Sequence, residues 1–166
     1  MRAVLQRVDR ARVRVEDEVV GQIGHGVLAL VAATHADTAA EAEAMARKIV
    51  ELRILSDDTS LSDHVGGPAH DPHRTGSEQQ ATPGASQATR APAVLLVSQF
   101  TLYGTTKKGR RPSWSAAAPG PAAEPLVDAV ADEMRRRGVE VATGVFGAQM
   151  EVELVNSGPF TLIVDT

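Results

Sequence analysis

The sequence predicts an α+β fold, and three observations carry that reading. Short segments in which apolar residues alternate with polar ones, or run unbroken for five or six positions, have the period and β-branched content of strands. Two longer segments repeat apolar residues every three or four positions, as helices do. Glycine, proline and acidic residues punctuate the chain between them. At 166 residues the chain is long enough to bury one domain's core, and 43% of it is hydrophobic. Aromatic residues make up only 3%, so Val, Leu, Ile and Ala must supply that core.

The elements follow in order. Ala11, Val13 and Val15 alternate with Arg12, Arg14 and Glu16, a strand with one buried face, and Val4, Gln6 and Val8 are expected to extend it upstream. A turn at Asp17 and Glu18 lets residues 19–23 return as a hairpin partner. Gly24-His25-Gly26 breaks the chain, with His25 read as a turn residue rather than a ligand. Residues 27–32 are then uninterruptedly apolar, a strand covered on both faces.

Thr38 and Glu41 form a capping box, and Met45, Ile49 and Leu52 continue at helical spacing, so a helix is expected from 39 to about 53. A second helix should span about 122–137, with Leu126, Val130 and Met134 inward, basic Arg135, Arg136 and Arg137 at its end and Gly138 as its stop. Residues 139–141 begin another strand. Residues 149–155 alternate cleanly, Asn156-Ser157-Gly158-Pro159 reads as a turn, and residues 160–164 as a closing strand.

Residues 66–93 differ in kind. Eight of these 28 residues are Gly or Pro and none is Leu, Ile, Val, Phe or Met, so the segment cannot bury enough apolar area to offset the entropy of ordering it. It is expected to be a flexible insertion within a single domain spanning 1–166. His64, His70 and His73 lie near its start with Asp63 and Asp71, but that spacing lacks the rigid scaffold a metal requires, and solvated histidines are the expectation.

Function is sought where a buried strand ends in polar groups. Residues 93–97 are all apolar, and Ser98, Gln99 and Thr101 follow at once. Such groups are held rigidly while the adjoining loop stays open to a ligand, although they also serve simply to satisfy backbone groups at a strand end. Lys107, Lys108, Arg110 and Arg111 place four cations within five residues just beyond, either a phosphate-contacting loop or a solubilising run. The net charge of −4 argues against nucleic-acid binding over the whole surface and leaves room for this local patch.

Several classes are excluded. With no cysteine there are no disulfides, thiolate nucleophiles or cysteine-held metals. The chain has no GxSxG elbow, HExxH helix or GxxxxGK[ST] loop. Its start carries no long apolar region, and no apolar run approaches the roughly 20 residues that span a bilayer, so a soluble cytoplasmic protein without membrane contact is expected.

Four segments together resemble the D-aminoacyl-tRNA deacylase (D-tyrosyl-tRNA(Tyr) deacylase) family: Met1-Arg2-Ala3-Val4-Leu5-Gln6-Arg7-Val8, Ser98-Gln99-Phe100-Thr101-Leu102-Tyr103, Lys108-Gly109-Arg110-Arg111-Pro112-Ser113 and Asn156-Ser157-Gly158-Pro159-Phe160-Thr161. They occur in the family's order, and the likeness covers nearly the whole chain outside 66–93, where the family usually has a tight connection. The resemblance implies curved, largely antiparallel, barrel-like β-sheets with two main helices, assembled as a homodimer. It implies hydrolysis, without metal or other cofactor, of the ester joining a D-amino acid to tRNA, and by extension of glycyl-tRNA mischarged on the wrong tRNA.

Chiral proofreading is implied to rest on rejection of L-amino acids by Gly158-Pro159, a cis pair reaching into the partner's pocket and fixed by Arg7. Ser98, Gln99, Phe100 and Thr101 match the family's catalytic strand end. Phe146 and Met150 resemble positions lining the adenosine pocket, and Lys107, Lys108, Arg110 and Arg111 would hold tRNA. Two alternatives remain: a non-catalytic tRNA- or RNA-binding module, and a serine or threonine esterase with a covalent intermediate at Thr101 or Ser98. An aminoacyl ester is already activated, and this sequence offers Thr101 no evident base, so oriented water and backbone N–H groups are the expected means of catalysis.

Overall fold

The computed structural model describes residues 1–65, 91–107 and 109–166; Lys108 and residues 66–90, most of the expected insertion, lie outside the described residues. The elements are β1 (Arg2–Val15), β2 (Glu18–Ile23), β3 (Gly26–Ala32), α1 (Ala39–Glu51), β4 (Ala93–Ser98), α2 (Gly120–Arg136), β5 (Val141–Thr143) and β6 (Glu151–Asp165). Ala93, at the edge of the expected insertion, is already a buried residue of β4.

β1 is the spine of the sheet. One of its edges pairs antiparallel with β6; the other pairs with β3 over its first half and with β2 over its second. β3 and β4 then run parallel, as do β4 and β5, giving the order β2-β1-β3-β4-β5. The sheet is therefore mixed: its three pairings through β1 are antiparallel, as expected, and the two through β4 are parallel, which was not expected. Local patterning cannot show this, because an unbroken apolar strand pairs equally well in either sense and the connections decide which. The sheet curls into a nearly closed barrel: an ideal Cβ on Gly21 of β2 would lie 2.5 Å from the Thr143 carbonyl oxygen of β5.

Two cores result. Val27, Ala29 and Val31 of β3 and Val94 and Leu96 of β4 face α1 and α2, meeting Met45, Ile49, Val130 and Met134. The intervening residues, Leu28, Leu95 and Val97, face the barrel interior with Val8, Ala11, Val13 and Ile23. β3 and β4 are thus covered on both faces, as their unbroken apolar runs require.

β1 changes core along its length. Met1, Ala3 and Leu5 are buried towards the helices, whereas Val8, Ala11 and Val13 point into the barrel. The expected buried set in its first half, Val4 and Gln6, is the half-exposed one. The register slips on either side of Val8, which shifts the phase of the alternation.

The hairpin turn lies at Glu16 and Asp17, both at positive φ as a tight two-residue turn demands, so Glu18 belongs to β2 and not to the turn. α1 begins as expected: the Thr38 hydroxyl accepts from the Ala40 amide at 3.2 Å and the Glu41 carboxylate accepts from the Thr38 amide at 2.7 Å. α2 starts two residues earlier than expected, at Gly120, and the strand expected from Val139 begins at Val141.

The largest departure concerns Asn156-Ser157-Gly158-Pro159. Here β6 does not turn but continues to Asp165 in a single strand. Gln6 pairs with Thr161 and Val8 with Asn156, so five steps along β6 oppose two along β1, and the excess is accommodated as a bulge.

Burial alone would raise the Asp37 carboxyl. The α-ammonium of Met1 at 2.7 Å and the Thr34 amide at 2.6 Å outweigh it and hold the group below its ordinary range.

The β3–β4 pair begins where Gly26, at φ +154°, lies so close to β4 that an ideal Cβ would sit 1.9 Å from the Ala93 carbonyl oxygen. Gly26→Ala is accordingly expected to destabilise the protein by at least about 2 kcal/mol, lowering the melting temperature by roughly 4–8 °C. A thermal denaturation curve identical to wild type would mean that the two strands part there at no cost.

Candidate active site

β4 is the middle of three parallel strands, so their carboxyl ends emerge together beside the N-terminus of α2. The Gln99 amide donates to the Val31 carbonyl at 2.7 Å, carrying the β3–β4 contact one residue past the strand. The chain then tightens into a short 3₁₀ turn, Phe100–Tyr103, closed by Leu102 N–H to Gln99 O at 3.1 Å and Gly104 N–H to Thr101 O at 2.9 Å. The amides of Phe100 and Thr101 precede the first of these bonds, so the turn itself does not use them.

A cleft of about 240 Å³ opens at this point. Val31, Ala32 and Ala33 come from the end of β3; Ser98, Gln99 and Phe100 from the end of β4; Ala118, Gly120, Ala123 and Val127 from α2 and its approach; Phe146 and Gly147 from the segment after β5. Small side chains leave the room, and a Cβ added on Gly120 would reach ordinary contact with the Phe146 ring, at 3.7 Å. Among the described residues, none of those lining it is charged. The Gln99 side-chain amide donates to the Thr101 hydroxyl, which fixes both groups beside the cleft floor. Among the described residues no histidine or carboxylate hydrogen-bonds that hydroxyl. Nearby, burial pushes the Tyr103 phenol up, with the Asp37 charge adding to it, so the ring stays neutral; the Arg2 guanidinium lies 5.4 Å from its centre.

A second constellation lies on β1 and β6. Arg7 Nε donates to the Ser157 carbonyl at 2.9 Å, and its guanidinium stands 5.0 Å from the centre of the Phe160 ring. Asn156 Nδ2 donates to the carbonyls of Arg7, at 2.8 Å, and Phe160, at 3.2 Å. Between these anchors the backbone folds so tightly that a Cβ on Gly158 would lie 2.1 Å from the Phe160 nitrogen, and only glycine fits. Among the described residues, Ser157 and Gly158 do not line the cleft of their own chain.

The remaining sequence candidates are dispersed. Lys107, Arg110 and Arg111 are exposed on a loop whose base is the antiparallel bridge between Thr105 and Ser113. Lys108 lies outside the described residues. Met150 does not line the cleft; it packs towards the barrel interior, its sulfur 2.5 Å from where a Cβ on Gly144 would be. His64, exposed, meets the Thr59 hydroxyl at 3.1 Å, and among the described residues no three His, Asp or Glu are grouped to hold a metal. Sequence reasoning missed the small residues that shape the cleft, Ala32, Ala33, Ala118 and Ala123. Their signal was the Ala pair after β3 and the Ala-rich run before α2, which composition alone marks only as good packing.

Fold and cleft define a class: a barrel-like α+β protein whose ligand-sized, uncharged cleft sits at the carboxyl ends of parallel strands, floored by hydroxyl and amide groups. Within that class, the chain belongs to the D-Tyr-tRNA(Tyr) deacylase family, whose model matches residues 4–67 and 76–165. A protein of Kineococcus radiotolerans named D-aminoacyl-tRNA deacylase is 52% identical over 166 residues, covering 99% of each chain. One of the same name from Beutenbergia cavernae is 50% identical over 166 residues with the same coverage. A solved structure described as a c-Myc DNA unwinding element binding protein superposes with a TM-score of 0.78 at 30% identity, covering 100% of this chain and 99% of that one.

The bulge depends on Arg7 through a charge-assisted hydrogen bond. Arg7→Met, which keeps the aliphatic stem, is expected to cost about 1.5–3 kcal/mol. Amide exchange should accelerate at Ser157, Gly158 and Phe160 more than at 163–165. Uniform acceleration along β6 would show that Arg7 supports the strand generally and not the bulge.

Proposed function

We propose that this protein hydrolyses the ester linking a D-amino acid to the terminal adenosine of tRNA, releasing the free amino acid and tRNA. The observation that carries the reading is the strand end at Ser98, Gln99, Phe100 and Thr101: an uncharged cleft with fixed polar groups and two turn amides not engaged by their own turn. Family membership and the full-length relatives named for this activity support it.

The chemistry asks little of the protein. Water adds to the ester carbonyl, the oxyanion is held by the Phe100 and Thr101 amides, and the acyl–oxygen bond breaks towards the ribose, whose hydroxyl recovers a proton. The neighbouring ribose hydroxyl orients the water. Thr101 holds position through Gln99 and forms no ester, because among the described residues no base is placed to activate its hydroxyl. Phe146 closes the cleft over the adenosine.

Selection of the D-amino acid falls to Gly158 and Pro159, contributed by a second copy in a homodimer. The bulge is rigidly pinned from its own chain by Arg7 and Asn156, which suits a group that must exclude a side chain without yielding. β6 pairs only with β1 among the described residues, leaving its other edge open, and Ile163 on it is 70% exposed, as an assembly surface would be. Backbone carbonyls close to the substrate α-carbon would exclude an L-side chain. Glycine, with nothing to clash, would be hydrolysed as well. The cytoplasm, where tRNA is charged, is the compartment of action.

Purified protein should deacylate D-tyrosyl-tRNA at least about 100-fold faster than L-tyrosyl-tRNA, a ratio that about 3 kcal/mol of steric exclusion provides. Thr101→Ala should retain deacylation, reduced by roughly 10-fold through poorer positioning. Tight tRNA binding without turnover would instead make the protein a nucleic-acid-binding module, and isolation of a Thr101 or Ser98 acyl ester would make it a conventional esterase.

A further inference from the structure

The chain has few aromatic residues, one Trp, one Tyr and three Phe, and the sheet and helices pack almost without them. Two of the five are nevertheless exposed and touch each other. Phe100 is 54% exposed and Trp114 is 41% exposed; their ring centres are 5.7 Å apart at an interplanar angle of 82°. The indole is seated, not loose. It lies on the backbone of Gly104, where a Cβ would come within 2.7 Å of Cζ3 and 3.1 Å of Cε3, so this glycine is what allows the ring its place. Phe100 meets it nearly perpendicular, and the bridge from Thr105 to Ser113 holds the chain just before it. A flat aromatic surface is thereby held rigid beside solvent, at a real cost in exposed apolar area.

Its neighbours define what it suits. Phe100 is also a wall of the cleft, so the surface continues directly from the site. The loop closed by Thr105 and Ser113 carries Lys107, Arg110 and Arg111, all exposed, and none of the ion pairs among the described residues involves them. A preset aromatic face with cations alongside is the chemistry that receives single-stranded nucleic acid, the base stacking and the phosphates meeting the cations.

We propose that Trp114, held nearly perpendicular to Phe100, is a stacking platform for an unpaired base of the single-stranded 3′ end of tRNA, and that Lys107, Arg110 and Arg111 hold the phosphates flanking that base. The inference rests on the cleft being the site of the terminal aminoacyl-adenosine; the platform takes a nucleotide before it. Recognition is tolerant of base identity, because every base offers a π face and no hydrogen-bonding edge is read. Phosphate contacts make the same step sensitive to salt.

Two substrates separate this platform from the cleft: D-tyrosyl-tRNA, and D-tyrosyl-adenosine, which has no preceding nucleotide. Trp114→Leu, which keeps apolar volume but removes the π face, should lower kcat/KM for D-tyrosyl-tRNA by about 10–100-fold while changing that for D-tyrosyl-adenosine by less than about 2-fold. Trp114→Phe should stay within about 5-fold of wild type on both. Equal losses on the two substrates, or a Leu variant as good as wild type on tRNA, would overturn the proposal and leave the deacylase reading standing. Trp114 is the only tryptophan, so its emission reports the contact without turnover. A short single-stranded RNA ending in CCA should quench it, less at high salt. Absence of quenching would refute the platform even if the protein hydrolysed neither substrate, the outcome that would instead sink the deacylase reading.

Discussion

The whole site depends on β4 lying parallel beside β3 in one register, from Gly26 opposite Ala93 to Val31 opposite Ser98. Because the two strands run the same way, both end at the same edge of the sheet, and β5, paired with residues 94–96, leads Phe146 and Gly147 to it. The cleft is the space left at that edge between strand ends and the start of α2. An antiparallel β4 would deliver Ser98 and Gln99 to the opposite end, against β3's beginning. The register is secured at its start by Gly26, whose missing side chain permits the backbone approach, and throughout by apolar residues buried on both faces.

The second constraint is the mismatch between β1 and β6. β1 must bury Met1, Ala3 and Leu5 under the helices and then Val8, Ala11 and Val13 inside the barrel, and a uniformly alternating strand cannot do both. The slips around Val8 resolve the conflict, and opposite them β6 carries its surplus residues as the Gly158 bulge. A structural necessity thus produces a tightly folded piece of backbone. Arg7 and Asn156, placed on the two strands that meet there, hold its carbonyl groups. Displacing such a group would break these hydrogen bonds, so the backbone there is held in one shape.

Charge is distributed in keeping with this division of labour. Among the described residues the cleft lining carries no charge, while Lys107, Arg110 and Arg111 lie on the exposed loop beside it. Inside an apolar cleft, oriented amides and hydroxyls stabilise developing negative charge without the desolvation cost that a buried ion would carry. Outside it, exposed cations attract a polyanion at long range and let it go when salt screens them.

By itself the sequence determined the elements and the chemical character of their ends. Unbroken apolar runs at 27–32 and 93–97 required strands covered on both faces, Thr38 with Glu41 required a helix start, and the four motifs carried the family. These are local matters, settled by period, capping and composition over a few residues. Only the tertiary structure decided that β4 runs parallel to β3, that Asn156, Ser157, Gly158 and Pro159 bulge within one strand instead of turning, and that Met150 faces the barrel while Ala33 and Ala123 face the cleft. Strand sense, register and the sharing of a cavity depend on which distant segments meet. A side chain's own preferences are the same whichever neighbour it receives, so the partner is chosen by the fit of the whole sheet against its helices.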